Sequence, residues 1–152
     1  GCSFSIEPIF GIAFVRHVLE GDDLIDVNPL FRRIAKQRGF YSKKLIRDIV
    51  RKGTLKGVKE VPSDVKRLFV TAHDISPEQH IRMQSAFQKH TDNAVSKTIN
   101  MKRTATKKDV EKAFMLAYDL KCKGITIYRD QSKEKQVLSL GVKRCPSGIC
   151  PA

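Results

Sequence analysis

Apolar residues recur at helical spacing in five stretches of the chain and form short β-branched blocks in three others. Asn28-Pro29 reads as an N-cap with Pro at the first helical position; Leu30, Phe31, Ile34 and Ala35 follow at helical spacing, and Gly39 stops the run. Ser42 caps a second helix, with Leu45, Ile46, Ile49 and Val50 as its apolar stripe and Gly53 at its end. After a turn-rich link through Gly57 and Pro62, residues 62–74 read as a helix with Val65, Leu68, Phe69 and Ala72 on one side. Ser76-Pro77-Glu78-Gln79 has the form of a capping box opening a helix to about His90, in which Ile81, Met83, Ala86 and Phe87 read as core positions.

The next segment changes period. Residues 94–100 are rich in β-branched residues and read as a strand, Thr106 opens a helix carrying Val110, Ala113, Phe114, Ala117 and Leu120, and residues 125–128 read as a second strand. A strand, helix and strand joined by short turns imply two parallel strands with a right-handed crossover, hence an α/β unit. Residues 9–18 offer one further strand, too few to cover the edges of such a sheet, so the sheet is expected to be incomplete within this chain. Beyond Asp130 periodicity fades, and residues 139–152 read as a flexible tail.

Charge adds a local feature. The 152 residues carry 29 Lys+Arg against 16 Asp+Glu, a formal +13. Residues 1–27 hold five acids and one Arg, whereas residues 28–59 hold eleven Lys/Arg and one acid, Asp48. Arg32, Arg33, Lys36, Arg38, Lys43, Lys44, Arg47, Arg51 and Lys52 fall on outward faces of the first two helices. They form either a solvated helical hairpin or a polyanion-binding face; the charge supports a nucleic-acid-binding module, but no interleaved exposed aromatics and no nucleic-acid motif accompany it.

No apolar run reaches the length of a membrane span, because Arg16 interrupts the longest, and no basic region precedes it as in a signal peptide. The expectation is a cytoplasmic protein that does not enter membranes. Four cysteines at 2, 122, 145 and 150 are too sparse for a disulfide scaffold. The chain begins without Met, and its first residues read as the inside of an element, so it is expected to be a piece of something longer.

Candidate chemistry is thin. There is no phosphate-binding glycine loop and no nucleophile elbow, and His80 and His90 lack partners at metal-ligand spacing, so no metal is expected. Cys145 and Cys150, with Pro146 and Gly148 between them, stand as a reversible dithiol carrier, as half of a truncated zinc ribbon, or as two tail cysteines without a role. Lys143 and Arg144 beside Cys145 favour its thiolate.

Four ordered blocks carry a resemblance: Gly1-Cys2-Ser3 through Ser5-Ile6-Glu7-Pro8-Ile9-Phe10; Phe69 to Pro77; Arg82-Met83-Gln84 with Gln88 to Asn100; and Gly124-Ile125-Thr126-Ile127-Tyr128-Arg129-Asp130. Over residues 1–138 the chain resembles the C-terminal part of the catalytic barrel of class II, adenosylcobalamin-dependent ribonucleotide reductases. The resemblance implies a ten-stranded α/β barrel with a helical excursion at 28–91, the strand-helix-strand unit at 94–130 and the tail at 139–152.

The same resemblance implies the chemistry. A thiyl radical on a central loop removes the 3′ hydrogen of a ribonucleotide substrate, the 2′ hydroxyl leaves, and a cysteine pair supplies two electrons. It also implies adenosylcobalamin as cofactor, the remainder of the barrel as partner, and a thioredoxin-like reductant that recharges the enzyme through Cys145 and Cys150. In the family, the radical Cys loop and the loop that holds the substrate phosphates both precede the segment that begins at Gly1. No catalytic or cofactor-binding residue is therefore assigned in this chain, and the isolated chain is expected to be inactive. Class I members carry adjacent tyrosines near the last strand, where this sequence has Thr126-Ile127 before Tyr128. That difference favours a radical made in place and leaves Tyr128 as a packed strand residue.

Overall fold

The computed structural model describes residues 5–17 and 23–132. They divide into two compact units, one holding Ile9–Thr71 and the other holding residues 5–8 with those from Ala72 onward.

The first unit opens with strands β1 (Ala13–His17) and β2 (Asp23–Val27), paired antiparallel from Ala13↔Val27 to His17↔Asp23. The expected strand at residues 9–18 is thus present but shorter, and it joins a hairpin rather than the later parallel strands. Helix α1 (Pro29–Gln37) starts where Asn28 accepts hydrogen bonds from the Leu30 and Phe31 N–H groups at 3.0 and 3.1 Å. Helix α2 (Lys43–Lys52) is capped by Ser42 and ends at Gly53, whose φ of +68° places it in the left-handed region open to glycine.

Helix α3 (Ser63–Leu68) is shorter than the 62–74 helix expected. Phe69 leaves helical backbone, and the chain resumes helical form only in a 3₁₀ turn, Ala72–Asp74. Phe69 instead turns into the core, where its ring meets Phe31 edge-on at 5.3 Å; Phe31 also meets Phe40 at 6.3 Å. Around Phe31 lie Leu45, Ile49, Val58 and Val65, all buried.

The second unit contains α4 (Pro77–Gln88), β3 (Thr98–Met101), α5 (Lys107–Asp119) and β4 (Thr126–Arg129). β3 and β4 pair in parallel, as the strand-helix-strand pattern requires, from Thr98↔Thr126 to Met101↔Arg129. Thr106 and Asp109 form a complete capping box at the start of α5. Ile81, Ile99, Met101, Ala113 and Ala117 make the buried core.

Helix α4 departs from its expected orientation. Ile81 is buried, but Met83, Ala86 and Phe87 are exposed, and the buried face is otherwise polar: His80, Gln84, Ser85 and Gln88. Each of these four bonds a backbone group outside the helix. Loop anchoring therefore outweighs apolar burial on that face. The same bonds explain why β3 begins at Thr98 rather than Ala94: Gln84 and Gln88 take both the C=O and the N–H of Val95, at 2.9 and 3.1 Å, which a neighbouring strand would otherwise use.

Candidate functional site

Side chains alternate across a strand, so the placement of Ile99 and Met101 in the core with α4 and α5 turns Thr98 and Asn100 to the other face of β3. The parallel register sets Thr126 and Tyr128 beside them on β4, while Ile127 packs with the core. Parallel strands buried on both faces normally carry apolar residues on both. Here a polar row of Thr98, Asn100, Thr126 and Tyr128 occupies the face away from the helices, with Asn100 almost fully buried.

Glu7 and Lys97 form an ion pair at the start of this row. Lys97 Nζ donates to Glu7 Oε2 at 2.7 Å, and the Thr98 N–H donates to Glu7 Oε1 at 2.6 Å. The Lys97 side chain is 1% exposed and that of Glu7 28%. Near this pair lies buried His80, whose Nε2 sits 2.9 Å from the Ala72 carbonyl oxygen. A carbonyl only accepts, so Nε2 carries the proton. Burial is the main cause holding the His80 imidazole below its ordinary pKa, and the Lys97 charge adds to it; the Ala72 bond and Glu7 act in the opposite sense.

At the carboxyl end of β3 a cleft of about 370 Å³ is lined by residues that include His73, Ser76, Asn100, Lys102, Thr104 and Asp109. Crevices beyond the carboxyl ends of parallel strands are the usual place for ligands in α/β sheets. Burial lowers the His73 pKa, against the raising effects of Asp130 and Asp74. Among the described residues no three His, Cys, Asp or Glu side chains gather to hold a metal ion.

The residues singled out from the sequence are not brought together. Cys145 and Cys150 lie outside the described residues, as does Cys2. Cys122 is a free, half-buried thiol whose pKa burial pushes up, the opposite of a reactive thiolate. Arg32, Arg33, Lys36, Arg38, Lys43, Lys44, Arg47, Arg51 and Lys52 are all exposed. Several are engaged locally: Arg38 with Asp64 at 2.6 Å, Arg51 with Asp48 at 2.8 Å, and Lys36 over the Tyr41 ring. Sequence reasoning missed Glu7, Lys97 and Asn100 as site residues. The available signal was a lysine and an asparagine inside a β-branched strand, where charged and amide side chains are scarce.

A family model described as "Ribonucleotide reductase, barrel domain" matches residues 1–128. The chain is 53% identical over 141 residues to the vitamin B12-dependent ribonucleoside-diphosphate reductase of Thermoplasma acidophilum, a match covering 93% of this chain and 18% of that protein. It is 47% identical over 139 residues to the protein of the same name from Mycobacterium tuberculosis, covering 91% of this chain and 20% of the relative. The chain thus spans about a fifth of the length of these curated relatives. Among solved structures, the Actinobacillus ureae class Id ribonucleotide reductase alpha subunit superposes with a TM-score of 0.68 at 19% identity, covering 84% of this chain and 23% of that one. At that identity the likeness concerns the fold alone.

Proposed function

The chain belongs to the ribonucleotide reductase family, within the barrel domain, and from that premise we propose that it is part of a vitamin B12-dependent reductase that converts ribonucleotides to deoxyribonucleotides. The observation that carries this reading is the 53% identity to a vitamin B12-dependent ribonucleoside-diphosphate reductase, sustained over 93% of the chain. The names of the relatives favour ribonucleoside diphosphates as substrates. The fold is compatible: β3 and β4 supply two parallel strands with helices on one face, and the polar row Thr98, Asn100, Thr126 and Tyr128 would face the barrel interior. A ten-stranded barrel is wider than the eight-stranded kind that side chains fill, so such a row borders usable space.

In this reading a thiyl radical on a loop of the remaining barrel takes the 3′ hydrogen of the ribose. The 2′ hydroxyl leaves as water, two cysteine thiols give up two electrons and two protons to become a disulfide, and the 3′ hydrogen is returned. The cofactor would be adenosylcobalamin, which supplies the initiating radical. The described cleft, about 370 Å³, is too small for a corrin with its nucleotide and adenosyl arms. These residues therefore do not by themselves make its seat. Cys145 and Cys150 are assigned to re-reduction of the active-site disulfide, handing on electrons from a thioredoxin-like protein.

Turnover of the full-length reductase containing this sequence tests both parts. With adenosylcobalamin present, the parent should form deoxyribonucleotide with either thioredoxin or dithiothreitol as reductant. The variant Cys145→Ser/Cys150→Ser should do so with dithiothreitol alone. No deoxyribonucleotide from the parent removes the reading, and thioredoxin-driven turnover by the variant removes the shuttle.

A further inference from the structure

Helices α1 and α2 break a rule that the other helices keep. An acid in the first turn answers the positive pole of a helix, and among the described residues α3, α4 and α5 have Asp64, Glu78 and Asp109 there. Neither α1 nor α2 has one. Helix α2 instead opens on Lys43 and Lys44, both exposed, which puts two cations at the pole that repels them. The outward faces continue the charge. On α1, Arg33 and Lys36 stand opposite buried Phe31 and Ala35, with Arg32 beside them; on α2, Lys44, Arg47 and Arg51 recur at helical spacing away from buried Ile46 and Ile49. Local partners absorb part of this charge: Asp64 pairs with Arg38, Asp48 with Arg51, and Lys36 lies over the Tyr41 ring. No acid among the described residues pairs with Arg32, Arg33, Lys43, Lys44 or Arg47. Folding gives no account of these five charges, which repel one another and, at Lys43 and Lys44, oppose the helix they sit on.

The rest of the surface selects the partner. The two helices expose one large apolar side chain, Leu30, and no aromatic ring. A protein partner needs apolar and aromatic anchors, and lysine is depleted at the cores of such interfaces. A single nucleic-acid strand needs rings on which its bases stack. A duplex backbone needs neither, because its phosphates are met by charge alone and each arginine fork can take two oxygens at once. We propose that the outward faces of α1 and α2 form a docking surface for the phosphate backbone of duplex nucleic acid, contacted through Arg32, Arg33, Lys43, Lys44 and Arg47 without reading sequence. None of the five lines the cleft or belongs to the polar row, so the surface does not depend on the reductase reading.

Fluorescence anisotropy of a labelled DNA duplex of about 24 base pairs, titrated with the full-length protein that carries this sequence, tests the surface. Five neutralised phosphates give log Kobs a slope of about −4.5 against log salt, so affinity should fall about 500-fold between about 50 and 200 mM KCl. The variant Arg32→Gln/Arg33→Gln/Lys43→Gln/Lys44→Gln/Arg47→Gln should flatten that slope by about four units. Lys43→Gln/Lys44→Gln alone should flatten it by about two units and melt no lower than the parent, because it removes two cations from the N-terminus of α2. This pair decides if the larger variant does not fold. A control with the same loss of charge, Lys89→Gln/Lys107→Gln/Lys108→Gln/Lys112→Gln/Lys121→Gln, changes only exposed lysines of the second unit and should keep the parent slope. A parent without salt-dependent binding would overturn the proposal, as would an unchanged slope in the pair or equal flattening in the control. Tighter binding of the single strand would also overturn it, and so would displacement of the duplex by polyglutamate as readily as by unlabelled duplex, which marks an acidic protein as the partner.

Discussion

Gln88 satisfies several backbone groups with one amide. Its nitrogen donates to the Thr91 and Asn93 carbonyls, both at 2.9 Å, and its oxygen accepts the Val95 N–H at 3.1 Å and, more loosely, the Lys123 N–H at 3.4 Å. Removing it leaves buried groups unpaired, so Gln88→Ala should destabilise by roughly 2–4 kcal/mol in denaturant titration. His80 carries a pH dependence on the same helix. Its folded pKa is held below 6.5, so the fold favours the neutral ring. The stability this represents is complete above about pH 6.5 and is lost as pH falls toward and through the folded value. Proton NMR of the His80 ring should place its titration midpoint below 6.5, and His80→Gln should weaken the acid sensitivity of α4 in hydrogen exchange. These roles were not legible in the sequence. Helical spacing cannot show that a helix buries amides and exposes Met83 and Phe87, nor that Glu7 pairs with a residue 90 positions away.

At the level of elements, the sequence spoke clearly where local chemistry decides and poorly where pairing does. The Asn28, Ser42, Ser76 and Thr106 caps all stand where side-chain spacing put them. β2 was invisible because Asp23 and Asp26 disfavour a strand in isolation; its register with β1 makes it one. Ser42→Ala should cost about 1 kcal/mol, since it frees the Leu45 N–H that Ser42 now accepts at 3.0 Å. The basic α1–α2 hairpin should be far more tolerant. Arg32, Arg33, Lys43 and Lys44 are exposed, and changing each to Gln should move stability by no more than about 0.5 kcal/mol. Were the same set to abolish a tight, steeply salt-dependent affinity of the parent for DNA, the hairpin would be a nucleic-acid surface.

For the molecule as a whole, no helix among the described residues is long and apolar enough to cross a membrane. The parallel β3–β4 pair with α4 and α5 on one face is a portion of barrel wall, and β4 is more exposed than β3. The fold class could be read from the strand-helix-strand pattern, and the family from ordered motifs; the site could not, because its polar wall is assembled by register between strands far apart in sequence. The proposed function makes this chain one part of a cobalamin-dependent ribonucleotide reductase. The most direct measurement is deoxyribonucleotide formed from a ribonucleoside diphosphate and dithiothreitol, compared between the full-length reductase and this 152-residue chain, each with and without adenosylcobalamin. Product from the full-length protein only when the cofactor is present, and none from the chain alone, is the predicted result; turnover that ignores the cofactor, or turnover by the isolated chain, would contradict it.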